Sequence, residues 1–580
     1  MKTITLKIDN IQYEVPEGST VLQACRHVGV NIPTLCYFKD LNPLGACRIC
    51  VVEVKNMRGL QAACVLPATP NMEIFTHTNK VLDSRKTTLE LMLSNHNNDC
   101  NSCVKSQNCQ LQRLSQEYNC DANRFDGAKT KGEVEVTPYL IRDNSKCILC
   151  RRCVAMCKSR QHVSVIGANE RGFNTHIGTF FGEDLDKVGC VACGQCITVC
   201  PTGALREKDD TDKVFSAIAN KDIHVVMMPA PAVRVAIGEE FGYPVGTNQQ
   251  GKLVTAMRRL GVDSVLDIDF AADLTIMEEG TEFINRLTKG GVLPMFTSCS
   301  PGWINYIEQY YPELLPHLST CKSPQMMAGA LVKTYYAEKH NIDPRKIFAV
   351  TVMPCVAKKV EIARPEMQNA EGIRDLDATI TTRELARMIR RCGIDFAELP
   401  EGDFDSLIGH GSEAGLLFGA TGGVMEAALR TVSEVLEKKP LEKLDFKAVR
   451  GTEGIKRATV KVAGVDVKVA VTNGIENAHL ILEELKAGKI SDYHFIEVMC
   501  CPGGCVTGGG QPIQPENVWD KIDVRAVRAK AIYDTDKKSL ARKSHENPEI
   551  IEIYKEFLGE PNSHKSHELL HTHYTAKPIK

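Results

Sequence analysis

Cysteines in this sequence are concentrated where their spacing suits iron–sulfur clusters. Of the 24 cysteines, 17 lie in the first 200 residues. The stretches CILCRRCVAMC (147–157) and CVACGQCITVCP (190–201) share the spacing C-x2-C-x2-C-x3-C. In this bacterial two-cluster ferredoxin pattern, the last cysteine of each run ligates the other cluster. We therefore predict two 4Fe–4S clusters, one on Cys147, Cys150, Cys153 and Cys200, the other on Cys190, Cys193, Cys196 and Cys157.

Two further ligand sets precede this pair. The first has the spacing C-x10-C-x2-C-x13-C, which is close to the plant-type 2Fe–2S pattern, with a four-cysteine zinc site as the alternative. The second has the spacing H-x3-C-x2-C-x5-C and, taken alone, suits zinc equally well. Its position among other cluster motifs favours a 4Fe–4S cluster with one imidazole ligand. The two sets are Cys36, Cys47, Cys50 and Cys64, then His96, Cys100, Cys103 and Cys109.

Three later loops also carry cysteines: TSCSPGW (297–303), MPCVAK (353–358) and MCCPGGC (499–505). Each follows an apolar, β-rich run within an alternating pattern of strand and helix candidates that begins near residue 222. In open α/β folds, ligands bind outside the carboxyl ends of strands, so the loops are expected to converge on one cavity. A single such loop would fit a plain buried thiol, which cysteine often is. The three together indicate a metal site.

Composition fits a large protein of ordinary globular character. The 580 residues are 43% hydrophobic and 24% charged, with a formal net charge of −2. This balance gives no reason to expect nucleic acid or an anionic membrane as a partner. The chain opens like a strand rather than a secretory leader, and no apolar run reaches the roughly 18 residues of a membrane span. We expect a reducing, cytoplasmic location, where such cysteines bind metals rather than form disulfides.

The three loops TSCSPGW, MPCVAKKVE and EVMCCPGGCVTGGGQP closely resemble the signature loops of the iron-only (FeFe) hydrogenases. The resemblance covers nearly the whole chain, including the N-terminal cluster motifs of the large clostridial-type members. The C-terminal stretch RKSHENPEIIEIYKEFLGEP also looks like the tail of this family. The same N-terminal cluster set occurs in the large iron–sulfur subunit of respiratory complex I, so the three loops decide between an enzyme and a relay.

The resemblance implies five segments. They are a 2Fe–2S plant-ferredoxin-like β-grasp domain, a His/Cys 4Fe–4S domain, a two-cluster bacterial-ferredoxin-like α+β domain, an α/β catalytic domain with strand-end cluster loops, and a small-subunit-like tail. Their predicted bounds are 1–80, 81–125, 138–210, 220–525 and 526–580.

The resemblance also implies an H-cluster, a 4Fe–4S cubane joined to a two-iron unit with carbonyl, cyanide and azadithiolate ligands. Cys355, Cys501 and Cys505 match its cubane ligands, and Cys505 matches the bridge to the two-iron unit. Lys358 matches the residue that pairs with a cyanide. The other matching positions that line the pocket are Pro231, Ala232, Gln325, Met353 and Met499.

A path for protons is expected beside this site, because a dry site needs titratable groups to reach solvent. Residues 275–287 are predicted to form a helix on which Glu279, Glu282 and Arg286 share one face. By itself this spacing would suit an ordinary surface pair between Glu282 and Arg286. With the resemblance, the family relay maps onto Cys299, Glu279, Ser319, Glu282 and Arg286.

The sequence departs from the family at three positions. Most members read TSCCPGW, so Ser300 stands where a cubane ligand is expected. A serine ligand is harder and more basic than a thiolate, which would alter the cluster potential. Alternatively, the loop shifts and Cys299 becomes the ligand, or Cys500, which stands where alanine is usual, compensates. Ala232 replaces a common serine near a cyanide.

The implied activity is the reversible oxidation of H2 to protons and electrons, with electrons relayed through the N-terminal clusters. One arrangement is the catalytic subunit of an NAD(P)-linked, electron-bifurcating complex with flavin/NAD(P)-binding and small iron–sulfur partner subunits. The other is a stand-alone ferredoxin hydrogenase. The serine-variant loop, PAPAVRVAIGEEFG (229–242) and HELLHTHY near the C-terminus look more like the first group. Dedicated maturation proteins are implied in both.

No flavin or nicotinamide fingerprint accompanies these motifs. GATGGVMEAA (419–428) is glycine-rich but lacks the G-x-G-x-x-G spacing after a clear strand, so coupling to NAD(P)H is expected to come from partner subunits. A function of a different class, a non-catalytic electron relay or H2 sensor on the same scaffold, is the remaining alternative.

Overall fold

The computed structural model describes residues 2–125, 127, 129 and 132–579. The described strands form five sheets. Three of them lie in the N-terminal cluster-binding region and two lie in the region that carries the three cysteine loops.

The first sheet has five strands and packs on one helix. Its opening strand alternates inward and outward side chains, which places Leu6 and Ile8 in the core. The helix Val21–His27 begins with a capping box formed by Thr20 and Gln23. In sheet order the strands are Ile11–Pro16, Thr3–Ile8, Glu73–Phe75, Val51–Val54 and Gln61–Ala62. This mixed sheet with its helix is the predicted β-grasp-like fold.

Two helices and a single short turn of helix make up the second region. They are Asn79–Ser94, Cys100–Ser102 and Gln110–Glu117. The Thr78 side chain caps the first helix by accepting a hydrogen bond from the Val81 backbone N–H.

The two ferredoxin-like motifs adopt the same local backbone. In each motif, positive φ angles occur at the two residues on either side of the second cysteine. These residues are Leu149 and Arg151 in the first motif, and Ala192 and Gly194 in the second. A short helix then starts, Arg152–Ala155 in the first motif and Gln195–Thr198 in the second. The strands of this region are Val134–Val136, Leu140–Asp143 and Leu205–Glu207 in one sheet, and Ile166–Asn169 and His176–Thr179 in another.

Two four-stranded sheets form the centre of the larger region. One is wholly parallel, and the other is parallel except for its last pair. The first contains, in order, Ser264–Val265, His224–Pro229, Ile347–Met353 and Ala378–Thr381; the second contains Met295–Phe296, Phe495–Met499, Val465–Asn473 and Ile455–Val462. All four strands predicted from apolar runs are present. They are divided between two sheets, two in each.

Helices cover both sheets. The longest helix, Ile268–Lys289, starts seven residues before the helix predicted at 275–287. The side chain of Asp267 caps its N-terminus. The other α-helices between residues 211 and 486 are Thr211–Ala219, Pro231–Arg234, Gln250–Arg259, Pro301–Tyr310, Pro324–Leu331, Ala337–Lys339, Lys358–Glu361, Thr382–Arg391, Glu413–Leu416, Gly423–Glu437 and Ile475–Lys486.

The C-terminal segment packs onto the same body. Its helices are Glu516–Lys521, Val524–Lys538, Pro548–Ile553 and His564–Leu570, and an isolated β-bridge pairs Cys321 with His571. Within the described ranges, no helix has both the length and the apolar character needed to cross a membrane.

Candidate active site and electron-transfer chain

Three loops enclose one cavity at the carboxyl ends of strands from both sheets. The loops follow the strands Met295–Phe296, Ile347–Met353 and Phe495–Met499. The expected convergence is therefore observed. The cavity is lined by all the residues predicted for the H-cluster pocket, namely Pro231, Ala232, Cys299, Ser300, Gln325, Met353, Cys355, Lys358, Met499, Cys501 and Cys505.

The donors around this cavity suit an iron–sulfur cluster. Cys355, Cys501 and Cys505 are free thiols. Burial raises the pKa of Cys355, and it raises the pKa of Cys505 to about 12. Such thiols ionise when a cation replaces the lost hydration, and thiolates are favoured ligands of iron clusters. The residues present therefore fit the implied cluster.

Lys358 is fixed at the cavity wall by three hydrogen bonds. Its Nζ donates to Glu361 Oε2 at 2.9 Å, to Ser323 Oγ at 2.7 Å and to the Cys299 carbonyl at 3.2 Å. Glu361 also accepts from Gln325 Nε2 at 2.6 Å. A charged lysine is thus held beside the cavity by a buried partner. The roles of Glu361 and Ser323 as partners of Lys358 were not predicted from the sequence. Glu361 could have been, because it lies three residues after Lys358 and residues at this spacing share one helix face.

Ser300 and Cys500 meet at one wall of the cavity. The Cys500 backbone N–H donates to Ser300 Oγ at 3.2 Å. The Cys500 Sγ lies 3.7 Å from Gln161 Oε1 and beside Gly302, where an added Cβ would come within 2.6 Å of the sulfur. The neighbouring Cys500 thiol lowers the pKa of Cys193. Cys500 therefore stands between the cavity and the ferredoxin-like region.

Apolar side chains close the rest of the cavity. Met353 and Met499 are the last residues of their strands and are almost fully buried. Ile268, Ala272 and Phe418 also line the cavity; the sequence reading did not identify them, because nothing local distinguishes them from other core residues. These side chains exclude water from the site.

The predicted proton relay is only partly joined by direct hydrogen bonds. Ser319 Oγ donates to Glu282 Oε2 at 3.0 Å, and Arg286 Nε donates to Glu282 Oε1 at 3.1 Å. Arg286 is partly exposed and also donates to the Leu318 carbonyl at 2.7 Å. Neither Cys299 nor Ser319 forms a hydrogen bond of good geometry with Glu279, whose two carboxylate oxygens lack a partner among the described residues.

Glu279 is fully buried between the two ends of this relay. Burial raises its pKa to about 8, and the nearby Glu282 carboxylate adds to the rise. Burial also raises the pKa of Cys299, with Glu279 as the next cause. Glu279 can therefore hold a proton near neutral pH, which suits a group that passes protons on.

A second cavity lies within the ferredoxin-like region. Burial raises the pKa of most of the thiols around it, as at Cys150, where the pKa rises to about 12. The cavity is lined by all eight predicted ligands, Cys147, Cys150, Cys153, Cys157, Cys190, Cys193, Cys196 and Cys200.

The two cavities adjoin at Cys193, which lines both. The backbones pack tightly here. A Cβ on Gly509 would lie 2.5 Å from the Cys193 carbonyl oxygen, and one on Gly194 would lie 2.7 Å from Val356 Cγ2. Glycine at both positions lets the ferredoxin-like loop and the third cysteine loop come into contact, as a short electron path requires.

The His96 ligand set lies against the ferredoxin-like region. Burial lowers the pKa of His96 to about 4, and its Nδ1 has no hydrogen-bond partner in the described part of the chain. Cys109 Sγ lies 3.8 Å from the Pro201 carbonyl, and Cys103 Sγ lies 2.6 Å from the position of a Cβ on Gly203. A neutral imidazole with a free nitrogen fits a metal ligand.

The four cysteines of the first set are buried together. The Cys47 backbone N–H donates to Cys36 Sγ at 3.4 Å, and hydrogen bonds from Cys47 and Cys64 lower the pKa of Cys36. Cys25, assigned to no cluster, lies in the apolar core, and burial raises its pKa to about 12. The mutual contacts of the four thiols fit a 2Fe–2S cluster.

The glycine-rich stretch 419–428 leads into the helix Gly423–Glu437. A carboxylate of the protein itself occupies the start of this helix, since Glu497 accepts from the backbone N–H of Gly422 at 2.6 Å and of Met425 at 2.8 Å. The positive end of the helix is thus neutralised internally rather than offered to a phosphate.

Five family patterns match the chain in order. A 2Fe–2S iron–sulfur cluster binding domain matches residues 1–79, an NADH-ubiquinone oxidoreductase-G iron–sulfur binding region matches 85–124, and a 4Fe–4S dicluster domain matches 146–204. The iron only hydrogenase large subunit, C-terminal domain matches residues 223–509, and the iron hydrogenase small subunit matches 522–577.

Relatives match along the whole length. The NADP-reducing hydrogenase subunit HndD of Solidesulfovibrio fructosivorans is 46% identical over 99% of this chain and 99% of its own. Iron hydrogenase 1 of Clostridium pasteurianum is 42% identical over 99% of this chain and 100% of its own. A solved structure of an [FeFe]-hydrogenase HydA1 variant from Chlamydomonas reinhardtii is 42% identical, with a TM-score of 0.58 over 64% of this chain and 100% of that one. The chain therefore belongs to the iron-only (FeFe) hydrogenases.

Proposed function

We propose that this chain is the catalytic subunit of a multisubunit hydrogenase that interconverts H2 with protons and electrons and exchanges the electrons with NAD(P)-linked partners. One observation carries the proposal. A buried cavity lined by Cys355, Cys501 and Cys505 shares Cys193 with a cavity lined by eight cysteines, and its wall residue Cys299 lies near the buried carboxyl of Glu279. This arrangement supports separate routes for electrons and protons to one site.

The H-cluster, when bound, supplies the redox-active metal centre at which H2 is split or formed. Cys355, Cys501 and Cys505 would hold its cubane, with Ser300 at the fourth position and Cys505 as the bridge to the two-iron unit. Lys358 would face a cyanide of that unit, because its ammonium group is fixed at the wall. Met353, Met499, Pro231, Ala232 and Gln325 would enclose the carbonyl, cyanide and azadithiolate ligands.

Four further clusters would form the electron path. We infer one 2Fe–2S cluster and three 4Fe–4S clusters, on the ligand sets predicted from the sequence. Cys193 lines both cavities, which supports direct electron exchange between the cubane and the ferredoxin-like cluster that Cys193 would ligate. For protons, Cys299, Glu279, Ser319, Glu282 and Arg286 would act in that order, with Glu279 able to hold a proton near neutral pH.

We infer that flavin/NAD(P)-binding and small iron–sulfur subunits accompany this chain. The match to HndD, named as a subunit of an NADP-reducing hydrogenase, supports this arrangement. We also propose that ferredoxin is a further electron partner and that maturation proteins supply the two-iron unit. The test is purification of the native protein and identification of the subunits that co-elute. A monomer that is fully active with ferredoxin alone would contradict the complex and favour the stand-alone alternative.

A second candidate function is H2 sensing without significant turnover. Ser300, on the cavity wall where the family has a thiolate ligand, is the observation that favours it. Infrared spectroscopy of the matured protein separates the two functions. Carbonyl and cyanide bands with rapid H2 turnover support the enzyme, and the same bands with negligible turnover support the sensor.

A further inference from the structure

A hydrogen-bond network joins the proposed proton relay to the C-terminal segment. Glu282 Oε2 accepts from Thr320 Oγ1 at 3.2 Å. The same hydroxyl oxygen lies 2.8 Å from His571 Nδ1. On the other side of the ring, His571 Nε2 lies 3.0 Å from Glu278 Oε2. His571 is 8% exposed and Glu278 is 0% exposed, so this end of the network is shielded from solvent, whereas Glu282 and Thr320 are partly exposed.

The carboxylate of Glu278, at the end of the network away from Glu282, is well suited to stabilise a charged His571. Glu278 accepts from Tyr554 Oη at 2.5 Å, from Ser566 Oγ at 2.8 Å and from the Asn562 backbone N–H at 2.8 Å. Burial by itself raises the pKa of Glu278, but the hydrogen bonds from His571, Tyr554 and the other donors outweigh it, and the pKa is lowered. Glu278 is therefore an anion that can stabilise an imidazolium.

The O–H bond of Thr320 can point in either of two directions, depending on the protonation state of His571. A carboxylate only accepts hydrogen bonds, so His571 Nε2 must donate to Glu278. When His571 is neutral, Nδ1 is an acceptor, and the single Thr320 hydroxyl proton points to it. When His571 is an imidazolium, Nδ1 donates to Thr320 Oγ1, and the hydroxyl proton points to Glu282. The hydroxyl thus links Glu282 and His571 for proton exchange.

Several titratable groups face His571. The helix Ile268–Lys289 contributes Glu278 and Glu282, the adjoining loop contributes Cys321, whose Sγ lies 4.0 Å from Nδ1, and the helix of the C-terminal segment contributes His567, whose ring centroid lies 4.0 Å away. Two carboxyl groups, one thiol and one further imidazole therefore surround the ring.

We propose that His571 is a proton-holding branch of the relay. A proton moves from the Glu282 carboxyl to Thr320 Oγ1 while the Thr320 hydroxyl proton moves to His571 Nδ1. One O–H bond breaks and another forms at Thr320, Glu282 becomes a carboxylate, and His571 becomes an imidazolium. The reverse steps return the proton during H2 formation. The branch rests on the proposed function, since it uses the relay through Glu282.

The test compares His571→Gln and Thr320→Val in the matured holoenzyme, with His573→Gln, an exposed histidine two residues further along the chain, as the matched control. His571 accepts a proton only when neutral. H2 oxidation by both variants should therefore equal that of the wild type at acid pH and fall by about two- to tenfold at alkaline pH. H2 formation should show the opposite pattern, because only the charged His571 can supply a proton. His573→Gln should follow the wild type throughout.

A second measurement does not depend on turnover. Difference infrared spectroscopy detects the protonated carboxyl of Glu282, assigned by its loss in Glu282→Gln. After H2 is added at alkaline pH, this band should be stronger in His571→Gln and Thr320→Val than in the wild type, because the proton cannot move on. Should His571→Gln fail to fold, Thr320→Val decides alone, since it keeps the pair between His571 and Glu278.

The outcomes separate the branch from the relay. If both variants keep the wild-type pH profile in both directions and the same carboxyl band, the branch is wrong while the relay stands. If His573→Gln changes the profile as much as His571→Gln does, the branch is also wrong. If Glu282→Gln leaves turnover unchanged, the proposed relay itself fails.

Discussion

At the scale of single residues, the buried carboxyl of Glu279 is the group on which the proposed proton route most depends. We expect Glu279→Gln to lower turnover by at least about 100-fold, because an amide cannot carry a proton between Cys299 and Ser319. The wild type should lose H2 formation as the pH rises through about 8, where Glu279 loses its proton. Rate measurements against pH, with infrared bands as a check on cluster content, test this.

The matched control for Glu279 is Lys289→Gln, an exposed position on the same helix. It should retain wild-type rates and the wild-type pH profile. If Glu279→Gln turns over as fast as this control, Glu279 does not carry protons in the proposed route.

Ser300 is the residue at which this chain departs most from its family. We expect Ser300→Cys to raise the midpoint potential of the cubane, because a thiolate is softer and less basic than a serine alkoxide and stabilises oxidised iron less. Redox titration followed by electron paramagnetic resonance measures the change. Cys500→Ala is the comparison. It should retain full iron content, and loss of the cubane in that variant would show that Cys500 is the ligand instead.

At the scale of elements, contact between the third cysteine loop and the ferredoxin-like loop determines the electron route. We expect Gly509→Ala to separate these loops, because the new Cβ would lie 2.5 Å from the Cys193 carbonyl oxygen. Turnover driven through the N-terminal clusters should then fall about 10- to 100-fold, a typical cost of misplacing groups by about 1 Å. Exchange of H2 with D2O, which needs no external electrons, should be preserved.

Gly167→Ala is the matched control in the same ferredoxin-like region. A Cβ there would have only an ordinary contact, 3.5 Å from Phe180. Equal losses of electron-driven turnover and of isotope exchange in Gly509→Ala would contradict the separation of the two routes.

Elements were predictable where one pattern repeats locally. The three apolar runs before the cysteine loops are strands, and the helix bearing Glu279 and Glu282 is present and longer than expected. The division of those strands between two sheets could not be predicted, because pairing depends on which edges meet in three dimensions. For the same reason, no local pattern predicted that Glu497 accepts the hydrogen bonds at the start of the helix Gly423–Glu437.

At the scale of the whole molecule, a buried charge network fixes the C-terminal segment to the catalytic region. Arg430 is 0% exposed and donates to Asp536 Oδ1 at 2.9 Å and to Glu426 Oε1 at 2.7 Å. Arg430→Met should destabilise this docking by about 3–5 kcal/mol, because it leaves buried carboxylates short of a partner. A lower thermal midpoint and faster protease cleavage within 526–580 would show it.

Lys537→Met, an exposed position on the neighbouring helix, is the control for this substitution. It removes a positive charge without opening a buried network, so it should leave both readouts close to the wild type. Equal effects in the two variants would mean that net charge, rather than the buried network, holds the segment.

The sequence by itself determined which residues are predicted as ligands and how they are grouped, because the spacing of residues such as Cys147, Cys150 and Cys153 along a short stretch of chain is typical of cluster ligands. It also identified the three loops that enclose the cavity. Only the tertiary structure decided that the two cavities meet at Cys193, that Glu361 and Ser323 hold Lys358, and that His571 reaches the proposed proton relay. These contacts join residues far apart in the chain, and the packing of sheets and helices, rather than local spacing, brings them together.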